Sequence, residues 1–183
     1  MTLPNIHILD EKDKVLREKS ENVTFPLSNE LKQLIKDSIK YLKMSQIDEY
    51  REKYNLRAGM GLAFVQLGIK KRIFVIVNEK EDGDFEEYTI INPKVKSVSE
   101  ELVFVGEGEG CLSVNRPTTG IVPRNARLTL DTYDIDGNKY TIRVREEIAV
   151  AFQHELDHLD GILFVDKIDK KNPFKNRDKM REL

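Results

Sequence analysis

Cysteine occurs once in the 183 residues, tryptophan not at all and histidine three times. A single cysteine excludes an internal disulfide, which leaves Cys111 as a buried small hydrophobe, a nucleophile or a metal ligand in a reducing compartment. Every apolar segment is broken within about ten residues, well short of the ~20 that a membrane-spanning helix needs, so no membrane partner is expected. The first residues, MTLPNIHILDEKDK, have neither the basic-then-apolar order of a secretory signal nor the acid-poor, Arg-rich character of a transit peptide, and the expected compartment is the cytoplasm. Nor is there an excess of positive charge. With 30 Lys and Arg against 32 Asp and Glu, and an isoelectric point near 6.0, no overall basic field exists to recruit DNA or an anionic membrane.

What is present reads as an ordinary globular chain, 39% hydrophobic and 34% charged, with no repeat, low-complexity tract or Pro/Gly/Ser linker to mark a boundary. One domain over residues 1–183 is expected, long enough to bury roughly 70% of its unfolded surface without staples. From Ser28, a plausible N-cap, the apolar residues Leu31, Leu34, Ile35, Ile39 and Leu42 recur at helical spacing, which predicts an amphipathic helix to about Gln46. A polar stretch, 47–56, leads into RAGMGLAFVQLG, whose glycines at 59, 61 and 68 signal tight backbone. Strand-like runs follow at Arg72 to Val77, Tyr88 to Ile91, Val95 to Val105, Arg127 to Tyr133 and Tyr140 to Val144, with EDGD and DIDGN as hairpin turns between them. The segment EEIAVAFQHELDHL has no turn residue for fourteen positions, is acidic at its start and stops before Gly161. Its stretch Ile148 to Phe152 is apolar on all sides, which predicts a helix buried in mid-fold. The expected fold class is α+β, antiparallel β-sheets packed around a central buried helix.

That helix carries two of the three histidines. Residues four apart on a helix face the same way, so His154 and His158 offer two imidazoles to one point, the spacing of metal ligands. Glu155, about 100° round the helix, can reach a water on the same ion as a general base, and the helix thus carries an HExxH motif. The bland alternative is a helix with two hydrogen-bonded core histidines and a surface glutamate. Burial weighs against it, because two imidazoles and a carboxylate inside a fold each need a partner, and one divalent cation satisfies all three. Cys111 lies in GEGCLSV, a glycine-bracketed loop that can approach a ligand closely. One thiolate with two imidazoles would leave a fourth position open for a water whose pKa falls to ~7, a nucleophile for amide or acyl hydrolysis. On ligand types alone zinc is favoured. The oxyanion of such a reaction needs further donors, and the glycine-rich loops can supply backbone N–H groups. An apolar substrate side chain needs walls beside the metal. Ala151 and Val150, three and four residues before His154, share its face, and Met60 stands between two loop glycines; all three could equally be ordinary core.

Three blocks stand in order: GMGLAFVQ (59–66), EGCLS (109–113) and QHELDH (153–158). Together they resemble peptide deformylase, over roughly residues 9–166. The segment before GMGLA and the loop SVNRPTTGIVPR look like the second bacterial type, typical of Gram-positive bacteria. The resemblance implies a monomeric metallohydrolase that removes the formyl group from the N-terminal formylmethionine of new proteins and releases formate. It implies Cys111, His154 and His158 as ligands and Glu155 as the catalytic glutamate. It further implies the Gln66 side-chain amide and the Leu112 backbone N–H as oxyanion donors, Gly61 as a peptide contact, and a buried pair of Glu109 with Arg124. It also moves the metal from zinc to ferrous iron, with zinc, nickel or cobalt able to substitute. Without the resemblance, Gln66 reads as a surface strand or turn residue.

Phe64 departs from the family's pattern, which has a second alanine there; a larger ring would disturb the packing behind Gln66 and the pocket's shape. Two rival functions stay open. One is a metallopeptidase that cleaves internal peptide bonds, and the other is a metal-stabilised binding module that has lost turnover. The tail from Lys167 to Leu183 holds seven Lys or Arg against three acids. Such tails are usually solvated; contact with ribosomal RNA near the nascent-chain exit is the alternative.

Overall fold

The computed structural model describes residues 1–183. Its elements in chain order are α1 (Asn29–Gln46), α2 (Asp48–Tyr54), β1 (Gly61–Ala63), β2 (Ile73–Glu79), β3 (Phe85–Val98), β4 (Leu102–Phe104), β5 (Arg124–Asn125), β6 (Arg127–Tyr133), β7 (Lys139–Arg145), α3 (Glu146–Leu159), α4 (Phe164–Lys167) and β8 (Arg181–Glu182). Five strands form an antiparallel sheet in the order β1-β2-β3-β6-β7, and three form a second sheet in the order β5-β4-β8. The architecture is the α+β arrangement expected, with one exception to its antiparallel character: β4 and β8 run parallel.

Strand β2 organises the core. Its run Ile73–Val77 is buried on both faces, which explains why the sequence there is continuously apolar rather than alternating. Phe74 and Ile76 join Ile90, Leu128, Leu130, Ala149 and Phe152 on one side, where α3 packs. Ile73, Val75 and Val77 join Leu62, Phe64, Ile35 and Leu42 on the other, under α1. Phe152 sits edge-on to Phe74 and Tyr88, with ring centroids 5.3 Å from each. Burying a side chain of this size contributes about 1.5–3 kcal/mol, and here it anchors the helix two residues before its first histidine.

Helix α1 begins as its sequence dictates. The Ser28 hydroxyl accepts from the Leu31 N–H, and the apolar stripe faces β2. Helix α3 ends at Leu159, and Gly161 follows at φ 74°, where a Cβ would meet the Arg17 carbonyl at 2.6 Å. None of the helices is long and apolar enough to cross a membrane.

Three local expectations change. The polar stretch after Gln46 holds a second helix, α2, opened by Asp48 and Glu49 and closed by Asn55 in the left-handed conformation. It buries no residue, so it has no apolar periodicity to reveal it. The runs Tyr88 to Ile91 and Val95 to Val98 are one strand, because a register shift between Ile91 and Lys94 lets β3 pass Asn92 and Pro93 without breaking. Val95 to Val105 is correspondingly two strands in two sheets. Ser99 turns the corner: its N–H donates to the Arg127 carbonyl, and its hydroxyl accepts from Arg127 N–H and donates to the Glu101 carbonyl.

Candidate metal centre and active site

Along α3, residues 147, 150, 151, 154, 155 and 158 form one stripe at helical spacing, opposite the face that Phe152 and Ala149 bury against the sheet. The stripe delivers His154 and His158 with ring centroids 5.0 Å apart. Cys111 reaches them from the loop between β4 and β5. The potential ligand atoms of Cys111, His154 and His158 all lie within 4.8 Å of one another, and the three residues are buried. The Cys111 sulfur is 3.3 Å from His158 Nε2.

The surroundings orient this trio. Glu109 Oε2 lies 2.8 Å from His154 Nδ1, which leaves Nε2 for the centre. Arg124 grips Glu109 in a bidentate pair, Nε to Oε1 at 2.7 Å and Nη2 to Oε2 at 2.9 Å, and turns Nη1 to Asp157 Oδ2 at 2.6 Å. Arg124 is 2% exposed, so its charge is held inside the fold by two carboxylates. Burial alone would raise the Glu109 carboxyl, but the Arg124 and His154 hydrogen bonds overcome it and hold the pKa down at about 2. His158 is pushed below the ordinary histidine range, first by burial and then by the charges of His154 and Arg124. His154 goes the other way: burial opposes its charge, yet hydrogen bonds to Cys111 and Glu109 raise it.

Glu155 is 3% exposed, and burial pushes its carboxyl up to about 7. Its Oε2 has no hydrogen-bond partner, an unusual state for a buried oxygen and one that a cation or its water would relieve. A soft sulfur, two imidazoles and a free carboxylate beside them fit a divalent first-row cation with an open coordination position. Gly61 makes room for that carboxylate: a Cβ there would collide with Glu155 Oε1 and stand 2.8 Å from Ile76 Cδ1.

Gln66 lies in a 3-10 turn, Phe64–Leu67, directly after β1. It is 1% exposed. Its Oε1 accepts from Ala63 N–H at 2.9 Å, which fixes the amide so that Nε2 points to Ser113 Oγ at 3.0 Å and Cys111 Sγ at 3.6 Å. The Leu112 N–H donates to no backbone carbonyl. A cavity of about 380 Å³ opens onto the cluster, and Met60, Gly61, Gln66, Cys111, Leu112, Val150, Ala151, His154 and Glu155 all line it. His158 lies deeper and does not line it. Phe64 is absent from the cavity wall; it is fully buried under α1 with Leu62 and Val75, so its ring fills core space instead. A larger cavity of about 660 Å³, around Lys19, Arg72, Asn92 and Asp160, contains none of these groups.

Several neighbours carry no signal of their own in the sequence, although Ser113 and Asp157 fall inside the blocks EGCLS and QHELDH. Arg57 donates to the Cys111 carbonyl at 2.9 Å, the Leu112 carbonyl at 3.4 Å and Asn115 Oδ1 at 2.6 Å, so it ties down the loop that presents both residues. Ser113 and Asp157 complete the partners of Gln66 and Arg124. Each is a common polar residue whose meaning arises only from distant chain segments meeting.

The family model for polypeptide deformylase matches residues 6–174. The chain belongs to that family. Its deformylase relatives include "Peptide deformylase" of Shouchella clausii, 48% identical over 169 residues and covering 92% of each chain. "Peptide deformylase 2" of Bacillus subtilis is 43% identical over 169 residues, again covering 92% of each. Among solved structures, a plant peptide deformylase superposes with a TM-score of 0.77 at 28% identity, covering 98% of this chain and 89% of its own. A probable peptide deformylase from Synechococcus phage S-SSM7 gives 0.73 at 32% identity, covering 89% and 99%. Deformylases are metallohydrolases that remove the formyl group from N-formylmethionyl peptides, and this chain is a deformylase by sequence and by fold.

Proposed function

We propose that Cys111, His154 and His158 hold one divalent cation, and that Glu155, Gln66, Leu112 and Gly61 perform the deformylation around it. The observation that carries this reading is the convergence of three ligand-type side chains, from segments over 40 residues apart, beside a buried carboxylate with an unpartnered oxygen. When bound, the cation would supply Lewis-acid activation of water and of the formyl carbonyl at neutral pH. The remaining chemistry belongs to the chain. Glu155 takes a proton from the attacking water and returns it to the departing amine nitrogen, a role suited by a pKa of about 7. Gln66 Nε2 and the Leu112 N–H donate to the developing oxyanion, a role supported by the fixed Gln66 amide and by the place of both residues in the cavity lining. Glu109, backed by Arg124, fixes the ring of His154. The formyl C–N bond breaks, and formate and a free amino terminus leave.

Met60, Val150 and Ala151 wall the space for the methionine side chain, which the apolar character of that side of the cavity favours. Ferrous iron is the proposed resident metal, with zinc, nickel or cobalt as substitutes, since a Cys/His₂ set accepts all four. Residues 1–183 act as one catalytic domain and as a monomer in the cytoplasm, on N-formylmethionyl nascent peptides. The basic tail 167–183 contacts the ribosome near the nascent-chain exit. Lys167 and Arg181 pair with acids outside the tail and Lys175 and Arg177 with the tail's own Asp169 and Glu182, so Lys170, Lys171 and Lys179 are the cations left for that contact. Co-sedimentation with ribosomes at low salt, unchanged on removing the tail, would refute the contact.

The test of the whole reading is formate release from a formyl-Met peptide by anaerobically purified protein, paired with elemental analysis. Iron with formate release is the expected result. Metal bound at the site with no formate released from any formyl peptide would overturn it.

A further inference from the structure

Besides the Arg57–Gly61 segment with Gln66, two further parts of the chain wall the cavity. One is the end of β4 and the loop after it, from Val105 to Gly110; the other is the first half of α3, with Glu147, Val150 and Ala151. Strand β8 touches both. It pairs with β4 through Val103 and Phe104, and the Leu183 N–H extends the pairing by donating to the Phe104 carbonyl at 3.0 Å. The Leu183 side chain packs with Val105 against Val103, Ala126 and Val150. Val105 and Val150 line the cavity, one from each of these two parts, and Leu183, which does not line it, packs behind them on the small apolar cluster at the seam where the two parts meet.

Arg181 spans the same seam with its charge. Its Nε is 2.9 Å from Glu101 Oε1, just before β4, while Nη1 and Nη2 lie 2.8 and 3.0 Å from the two oxygens of Glu146, the first residue of α3. Glu146 adopts φ 54°, a sparsely populated conformation for a residue with a side chain, and α3 starts without a side-chain cap. The start of the helix that bears the cavity wall is thus held from outside the helix. The side chains of these ion pairs are 34–46% exposed and add little to global stability, so their effect is on the local placement of the helix start.

We propose that Arg181 and Leu183 are positioning residues that set the width of the substrate cavity, and hence which N-terminal side chain it accepts. The inference rests on the deformylase reading above and deepens it. Loss of the Leu183 side chain lets Val105 and Val150 relax outward; loss of Arg181 releases the first turn of α3 from β4. Either change widens the space beside Ala151 without touching Cys111, His154, His158 or Glu155.

The experiment compares wild type with Leu183→Ala, Arg181→Ala and Leu183→Met on formyl-Met-Ala and formyl-Phe-Ala. For Leu183→Ala and Arg181→Ala, KM for the formyl-Met peptide should rise about three- to tenfold while kcat changes less than about twofold. The kcat/KM ratio of formyl-Phe to formyl-Met should increase by about tenfold, the scale of one or two methylenes in a hydrophobic pocket. Leu183→Met, which refills the seam, should restore the wild-type ratio. Metal content and thermal midpoint, measured on every variant, separate this result from partial unfolding. Calorimetric binding of Met-Ala and Phe-Ala gives the same selectivity without turnover. A ratio unchanged in both alanine variants, in kinetics and in calorimetry, overturns the proposal. Wild-type protein that releases no formate overturns the deformylase reading instead, and the calorimetric ratio then still decides whether β8 sets the cavity's width.

Discussion

Glu109 Oε2 lies 2.8 Å from His154 Nδ1, while both its oxygens also receive the Arg124 guanidinium. One carboxylate therefore sets the direction of the ring of a proposed ligand and neutralises a buried guanidinium. Glu109→Gln should keep the fold but lose both services. We expect metal affinity to drop about 10–100-fold, by analogy with other residues that hold a ligating histidine. A destabilisation of about 3 kcal/mol should accompany it, since Arg124 would keep only Asp157 as a charged partner. Metal retained after dialysis against a chelator, with thermal denaturation, measures both. Undiminished retention would show that His154 needs no such hold.

Glu155→Ala should bind metal as well as the wild type yet lose turnover on formyl-Met peptides by several orders of magnitude, since the proton shuttle goes and the ligand trio stays. Stripping the metal from the wild type should abolish activity to the same degree and be reversible on adding ferrous iron or nickel. A Glu155→Ala protein that hydrolyses at an undiminished rate removes this carboxylate from the mechanism.

Gln66→Leu is near in volume and lacks the amide. With Gln66 fully inside the cavity wall, kcat should fall about 10²–10³-fold, corresponding to roughly 2.7–4 kcal/mol of lost oxyanion stabilisation. Steady-state kinetics should show KM changing far less. A loss confined to KM would make Gln66 a binding residue only.

Far from the centre, Asp131 on β6 accepts from Thr141 Oγ1 at 2.6 Å and pairs with Lys139 at 2.9 Å and Lys96 at 3.5 Å, so it ties β7 and β3 to the middle of the sheet. The Thr141 hydroxyl and then Lys139 hold its carboxyl down at about 2, below the ordinary aspartate value of 3.8. A depressed pKa means the folded state favours the ionised form. That contribution is complete above about pH 4 and is lost as pH falls through about 2. The thermal midpoint of wild type should therefore exceed that of Asp131→Asn at pH 5, and the gap should close as pH approaches 2. A constant gap would assign the effect of the substitution to packing.

Periodicity and caps made the two long helices legible. Ser28 with its apolar stripe, and the turn-free acidic start of α3 before Gly161, are local signals that need no tertiary context. The His154 and His158 spacing was equally local. Gln66 was not: a glutamine after a short strand has the same appearance on a surface, and only the Ala63 N–H and Cys111 sulfur around it give its amide a direction. The joint occurrence of three sequence blocks supplied what periodicity could not. The break at Ser99 has no local signal because its cause is Arg127, nearly 30 residues on, and the pairing of β8 with β4 has none because two residues in a charged tail carry no strand pattern.

The space at Gly61 has a genetic corollary. Glycine and alanine codons differ by a single base, so one point change installs the methyl group that would evict the Glu155 carboxylate from its seat. On the proposed mechanism, an allele encoding alanine at 61 would displace Glu155 while leaving Cys111, His154 and His158 unchanged, so loss of function need not strike a histidine or the cysteine.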